Sequence, residues 1–173
     1  MLKFSSILGD DRSAEAPFLG LNHLLWVRRH NFIASELHSL NPQWDSEKVF
    51  QEARMIVIAE VQHITFNDFL PKVIGQATVR KLGLSSRQRG FADPYDENVD
   101  PSTRNGFGAA PMRYGHTQVI PTIALLNSNF QYNDIRQLEN ELFSPSFWQS
   151  DQGKNVPDFA RFMSSTSAMK IDK

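Results

Sequence analysis

The chain has 173 residues, with 18 Lys and Arg against 19 Asp and Glu and a formal net charge of -1, enough length for one domain with a real core. The nearly cancelling charge leaves no basic excess of the kind that binds nucleic acid, and no apolar run approaches the length needed to cross a bilayer. With no cysteine in the chain, disulfides, zinc–thiolate sites and thiol catalysis are excluded.

The opening residues, MLKFSSILGDD, carry one lysine and a very short apolar patch, which does not make a convincing signal peptide. Residues 9–19 read GDDRSAEAPFL, with Arg12 and Glu15 three apart just before Pro17, a residue suited to starting a helix. Taken alone, this is a solvated loop with a surface ion pair of little energetic worth. Residues 18–40 are predicted to form a helix with Leu21, Leu24, Leu25, Ile33, Leu37 and Leu40 as its apolar set. Arg28 and Asn31 fall near that face, so each calls for a buried partner. Asn41-Pro42 ends the helix, because proline disfavours helical geometry in the residue before it.

The next helix spans 45–64, with Asp45 as N-cap and Glu47 in the first turn, facing the positive end of the helix dipole. Val49, Phe50, Ala53, Ile56, Val57, Val61 and Ile64 recur at three- and four-residue steps. Ile58 and Ala59 widen that face, which predicts a central helix covered on most sides, closed by Pro71 and Gly75. Residues 76–101 read as loop, with turn residues Gly83, Ser85, Ser86, Gly90, Asp93 and Pro94 and a short helical turn at 78–82. The acidic run at 95–101 offers oxygen ligands but lacks the spacing of a calcium loop.

A third helix is predicted over 105–117, with Pro111 inside it. Its lone His116 reads by itself as a structural histidine, and His23, His30, His38 and His63 read as facing solvent or hydrogen-bonded within the helical core. Residues 127–133 are turn-rich and 136–143 suit a short helix. The expected fold class is mainly α with no evident sheet.

Several stretches together resemble the animal haem peroxidases, the family of peroxidasin, myeloperoxidase and thyroid peroxidase. One is QEAR at 51–54 followed by QHITFNDFLPKVIG at 62–75. Gly9, Asp10, Arg12 and Glu15 match the family signature Gly-Asp-x-Arg-x-x-Glu, and Asn105-x-Phe107 followed by Arg113-Tyr114-Gly115-His116 matches its proximal helix. Residues 142–149 and 153–172 resemble its Phe-rich and Gly-Ile-Asp-Pro stretches more loosely. The departures are Arg29 in place of the acid in Arg-Glu-His-Asn, Ala16 where myeloperoxidase has a haem-bonded methionine, Ser5 where relatives often have cysteine, and Pro111.

The resemblance implies haem b as cofactor, hydrogen peroxide as the oxidant reduced, and a halide, a phenol or a protein tyrosine as the donor oxidised. It makes His116 the axial iron ligand, a neutral imidazole held rigidly. Arg113 would pair with a haem propionate, and Gly115 would let the porphyrin approach the backbone. Arg12 would stabilise negative charge as the O–O bond breaks, and Glu15 would anchor haem through an ester. An extracellular or secreted setting is implied as well. The family's distal His, its calcium-binding residues and a second ester-forming carboxylate precede these motifs, and the Asn that hydrogen-bonds the proximal His comes after them. Residues 1–173 therefore read as an incomplete catalytic domain, a central segment with an apolar surface where other peroxidase segments would pack. The alternative is a non-catalytic α-helical module of the same ancestry that binds no haem. Pro111 and Arg29 favour it; the retained Arg12, Glu15 and His116 argue against it.

Overall fold

A computed structural model describes residues 11–85, 89–90, 95–144, 146–149, 153 and 155–170. Ser5, Gly9, Asp10, Ser86, Asp93 and Pro94, named above, lie outside them, as do the N-terminal patch and residues 145, 154 and 171–172 of the two looser motifs. The chain divides into two compact units, one of residues 1–25 with 101–173 and one of residues 26–100.

Pro17 occupies the start of α1 (Pro17–Leu40), as its fixed φ and missing N–H allow. In the second unit, α1 ends where the Asn41 side chain donates to the Leu37 carbonyl at 3.2 Å. Asp45 then caps α2 (Ser46–Ile64), its carboxylate accepting the Lys48 N–H at 2.8 Å. The helical path does not stop at Pro71. It passes through a π turn, Thr65–Phe69, into α3 (Leu70–Ile74). Pro71 has no N–H for the Asn67 carbonyl, and the Leu70 N–H reaches back to Thr65, so the proline is absorbed by widening the helix. Gly75, at φ 83, is what closes it. The short helix predicted near 78–82 is α4 (Gln76–Lys81).

Two sequence expectations fail in this unit. Only Val49 and Ala53 of α2 are buried, while Ile56, Ile58, Val61 and Ile64 are exposed. An apolar stripe marks a surface that gains from cover, but only a neighbouring element can supply the cover. Arg28 and Asn31 are likewise exposed and need no buried partner. The substitution at Arg29, by contrast, makes a bond: its guanidinium grips the Glu60 carboxylate of α2, with Nε 3.0 and 3.1 Å from the two oxygens. The hydrogen bond, together with the opposite charge, holds Glu60 below the usual carboxylate range. A depressed carboxylate stabilises the folded form above its unfolded pKa, and that contribution disappears as pH falls through the folded value. Glu60→Gln should therefore abolish a small, salt-sensitive part of the helix-pair stability at neutral pH and leave acid stability unchanged, as measured by chemical denaturation at pH 7 and below pH 3.

The first unit holds the main core, built of Leu21, the run Ile123–Leu126, Leu138, Phe147, Trp148, Phe159 and Phe162. Phe159 is its centre, with ring centroids 5.5 Å from Phe18, 5.2 Å from Phe147 and 6.2 Å from Trp148. These rings come from α1, α6 (Ser146–Gln149) and α7 (Asn155–Ser165). The Phe-rich stretch is thus a packing device. The fold is mainly α, as expected, with one addition: an antiparallel hairpin of β1 (Thr122–Leu126) and β2 (Tyr132–Gln137), in which Arg136 lies opposite Ile123 and Ile135 opposite Ala124. The short helix expected over 136–143 is this strand followed by a 3-10 turn, Leu138–Glu141. Asn127 sets the hairpin turn, its side-chain oxygen accepting the N–H groups of Asn129 and Gln131. Arg161 on α7 fixes the hairpin to the helix, donating to the Leu126 carbonyl at 3.0 Å and to Asp158 at 2.7 Å.

Candidate functional site

The segment before α1 is a 3-10 turn, Asp11–Ala14. The Glu15 N–H donates to the Arg12 carbonyl at 2.8 Å, and the Phe143 N–H donates to the Glu15 carbonyl at 3.2 Å. The backbone at Glu15 is therefore held from two sides. Arg12 and Glu15, neighbours in the signature, do share a feature: both line a cavity of about 220 Å³, together with Leu19 and His23.

Ser13, between them, is fully buried, and its hydroxyl has no hydrogen-bond partner among the described residues. A buried orphan hydroxyl costs about 1–3 kcal/mol in lost hydration. Ser13→Ala should accordingly be neutral or stabilising by up to that amount, read from chemical denaturation.

The predicted 105–117 helix is broken. Its first part is α5 (Asn105–Ala109), and Ala110 leaves helical geometry at φ -132, ψ -67. Pro111 has no N–H for the Phe107 carbonyl and its ring would strike that group, so an α-helix cannot run through it. Beyond the break the chain forms an eight-residue 3-10 helix, Pro111–Gln118. Here the helix type decides the geometry. At three residues per turn, side chains three apart eclipse, so Arg113, His116 and Val119 form one column and Met112 and Gly115 another. The same five residues line an open depression of about 280 Å³. His116 is exposed on it. A Cβ on Gly115 would meet only Gln118 Oε1, at 3.6 Å, so the backbone here is approachable.

A third cavity, about 290 Å³ and mostly apolar, adjoins the 3-10 helix at Gly115 and Val119 and is walled by Phe18, Phe162 and Met163. The Met169 N–H donates to the Gln118 carbonyl at 3.0 Å and holds the segment after α7 beside it. Among the described residues no group of three or more His, Cys, Asp or Glu side chains is arranged to hold a bare metal ion, and no helix is long and apolar enough to cross a membrane. In the acidic run, Asp96 accepts the Asn98 N–H at 2.9 Å and its side-chain amide at 3.0 Å, bonds that keep its carboxyl below the usual range. The other helical histidines are locally satisfied where they have partners: His30 lies near Asn31 and the Phe50 carbonyl, and His63 near Asn67. Sequence reasoning singled out Arg12, Glu15, Arg113 and His116. His23, read from the sequence as facing solvent or hydrogen-bonded within the helical core, lines the cavity of Arg12 and Glu15, four and eight residues on from Leu19 and Glu15.

Residues 3–173 match the sequence model described as Animal haem peroxidase. The chain is 41% identical to human "Peroxidasin homolog" over 141 residues, covering 80% of this chain and 9% of that protein. It is 45% identical to human "Myeloperoxidase" over 125 residues, 72% of this chain and 16% of the relative. "Peroxidase-like protein" of Margaritifera margaritifera is 36% identical over 172 residues, 95% of this chain and 21% of its own length. Among solved structures, peroxidase A from Dictyostelium discoideum superposes with a TM-score of 0.79 at 28% identity, covering 95% of this chain and 29% of that one. The chain thus spans less than a third of each of these proteins.

Proposed function

Because this chain belongs to the animal haem peroxidase family, we propose that it is the central segment of a haem-dependent peroxidase catalytic domain, in which His116 would ligate the haem iron. The observation that carries this reading is the column of Arg113, His116 and Val119 on an open, approachable depression. An imidazole is a suitable iron ligand and a guanidinium a suitable partner for a propionate carboxylate, so the donor set fits the group.

When bound, haem b supplies the iron at which hydrogen peroxide is reduced. The chain's own residues orient and polarise around it. His116 would hold the iron through a ring nitrogen, and Arg113, one 3-10 turn away, would pair with a propionate. Arg12 would donate hydrogen bonds to a peroxide oxygen as it gains negative charge, a role suited to a planar, permanently charged group. Glu15 would anchor the porphyrin rim through its carboxylate. The oxidised donor is a halide, a phenol or a protein tyrosine, and the setting is extracellular.

Haemin titration of the purified chain should give a saturable Soret shift. His116→Ala should abolish it, and an unchanged Soret band in that variant would refute the ligand assignment. The break at Pro111 supports a second reading, a non-catalytic module without haem, which predicts no specific shift in the parent chain.

A further inference from the structure

His23 projects from α1 into the cavity that Arg12 and Glu15 line, and Leu19 lies between them on its wall. Leu19 and His23, four residues apart, share one face of α1, and Glu15 lies a further four residues back, just before the helix begins. Among the described residues neither the Glu15 carboxylate nor the His23 imidazole has a hydrogen-bonding or charged side-chain partner. Two polar groups with unspent hydrogen-bonding capacity therefore face a common space of about 220 Å³, ample for ordered water, which needs two to four polar partners.

We propose that His23 is a positioning residue of the Arg12–Glu15 site, holding the Glu15 carboxylate in place through a bridging water in this cavity. The water accepts from or donates to the imidazole, donates to the carboxylate, and replaces a direct contact that the eight-residue separation makes too long. Glu15 is held at its backbone by Arg12 and Phe143, but its side chain has three rotatable bonds and needs such a tether to present one orientation. A carboxylate held in one rotamer binds with less loss of conformational freedom. The consequence for haem rests on the function proposed above; the tether itself does not.

The tether is tested without haem. Long-range 15N NMR of the full chain should show His23 in a single imidazole tautomer, and Glu15→Gln should convert it to a mixture. A second measurement monitors haem binding in His23→Phe, which should weaken haemin affinity about tenfold, while His23→Gln should stay within about threefold of the parent. An unperturbed His23 tautomer in Glu15→Gln, or equal loss in His23→Phe and His23→Gln, would overturn the proposal. Absence of any Soret shift in the parent would instead sink the His116 assignment, with the tautomer experiment still deciding the tether.

Discussion

Phe159→Ala should remove about 3–5 kcal/mol of stability, the range for deleting a buried aromatic ring. The ring is 0% exposed and sits between Phe18, Phe147, Trp148 and Phe162, with centroid separations from 5.2 to 6.2 Å. Three of the four contacts are tilted or edge-on and the fourth is stacked, so deletion loses directional ring contacts as well as transfer energy. The neighbours belong to three different helices and cannot all collapse into the hole. Since a domain is stable by only about 5–15 kcal/mol, the loss would leave the first unit close to its unfolding threshold. Urea unfolding tracked by tryptophan fluorescence and by far-UV circular dichroism would measure it. A loss below about 1 kcal/mol would mean that Phe159 is not the centre of this core.

Gly20→Ala should also destabilise, against the usual rule. In the interior of a helix, alanine is favoured over glycine by about 1 kcal/mol. At this position an added Cβ would lie 2.9 Å from Trp148 Cζ2 and 3.0 Å from the Ser13 carbonyl oxygen. The tryptophan ring is buried in the core and the oxygen is backbone, so neither yields at low cost. Overpacking of this kind costs about 1–3 kcal/mol, which outweighs the propensity gain. Ser13 lies in the turn that carries Arg12, two residues before Glu15, so strain should appear there first. Gly20→Val should be worse than Gly20→Ala, and an Ala variant with a higher denaturation midpoint than the parent would disprove the close approach.

Much of this molecule was legible as a string of residues. The 3.6-residue periodicity of 18–40 and 45–64, the Asp45 cap and the helix stop at Asn41-Pro42 depend on contacts within a few residues, and each appears where expected. The β2 strand was not legible. YNDIRQ is mostly polar and exposed, and only its pairing with the buried TIALL run makes it a strand. The extent of the second helix was hidden for a similar reason, since a proline signals a break but not that a π turn can carry the chain past it.

The candidate site divides the same way. The identities and spacing of Arg12, Glu15, Arg113 and His116 are sequence properties, and so is family membership, because a signature is a pattern of residue types. Pro111 was visible too, since the loss of one N–H is a local fact. Tertiary structure decided what grew out of that loss: a 3-10 helix whose three-residue turn stacks Arg113 under His116. It also decided that Glu60 rather than a neighbour in sequence receives Arg29, and that His23 joins Arg12 and Glu15. Local chemistry fixes where helices start and stop, whereas burial and partnership depend on residues distant in the chain that arrive at the same place only on folding.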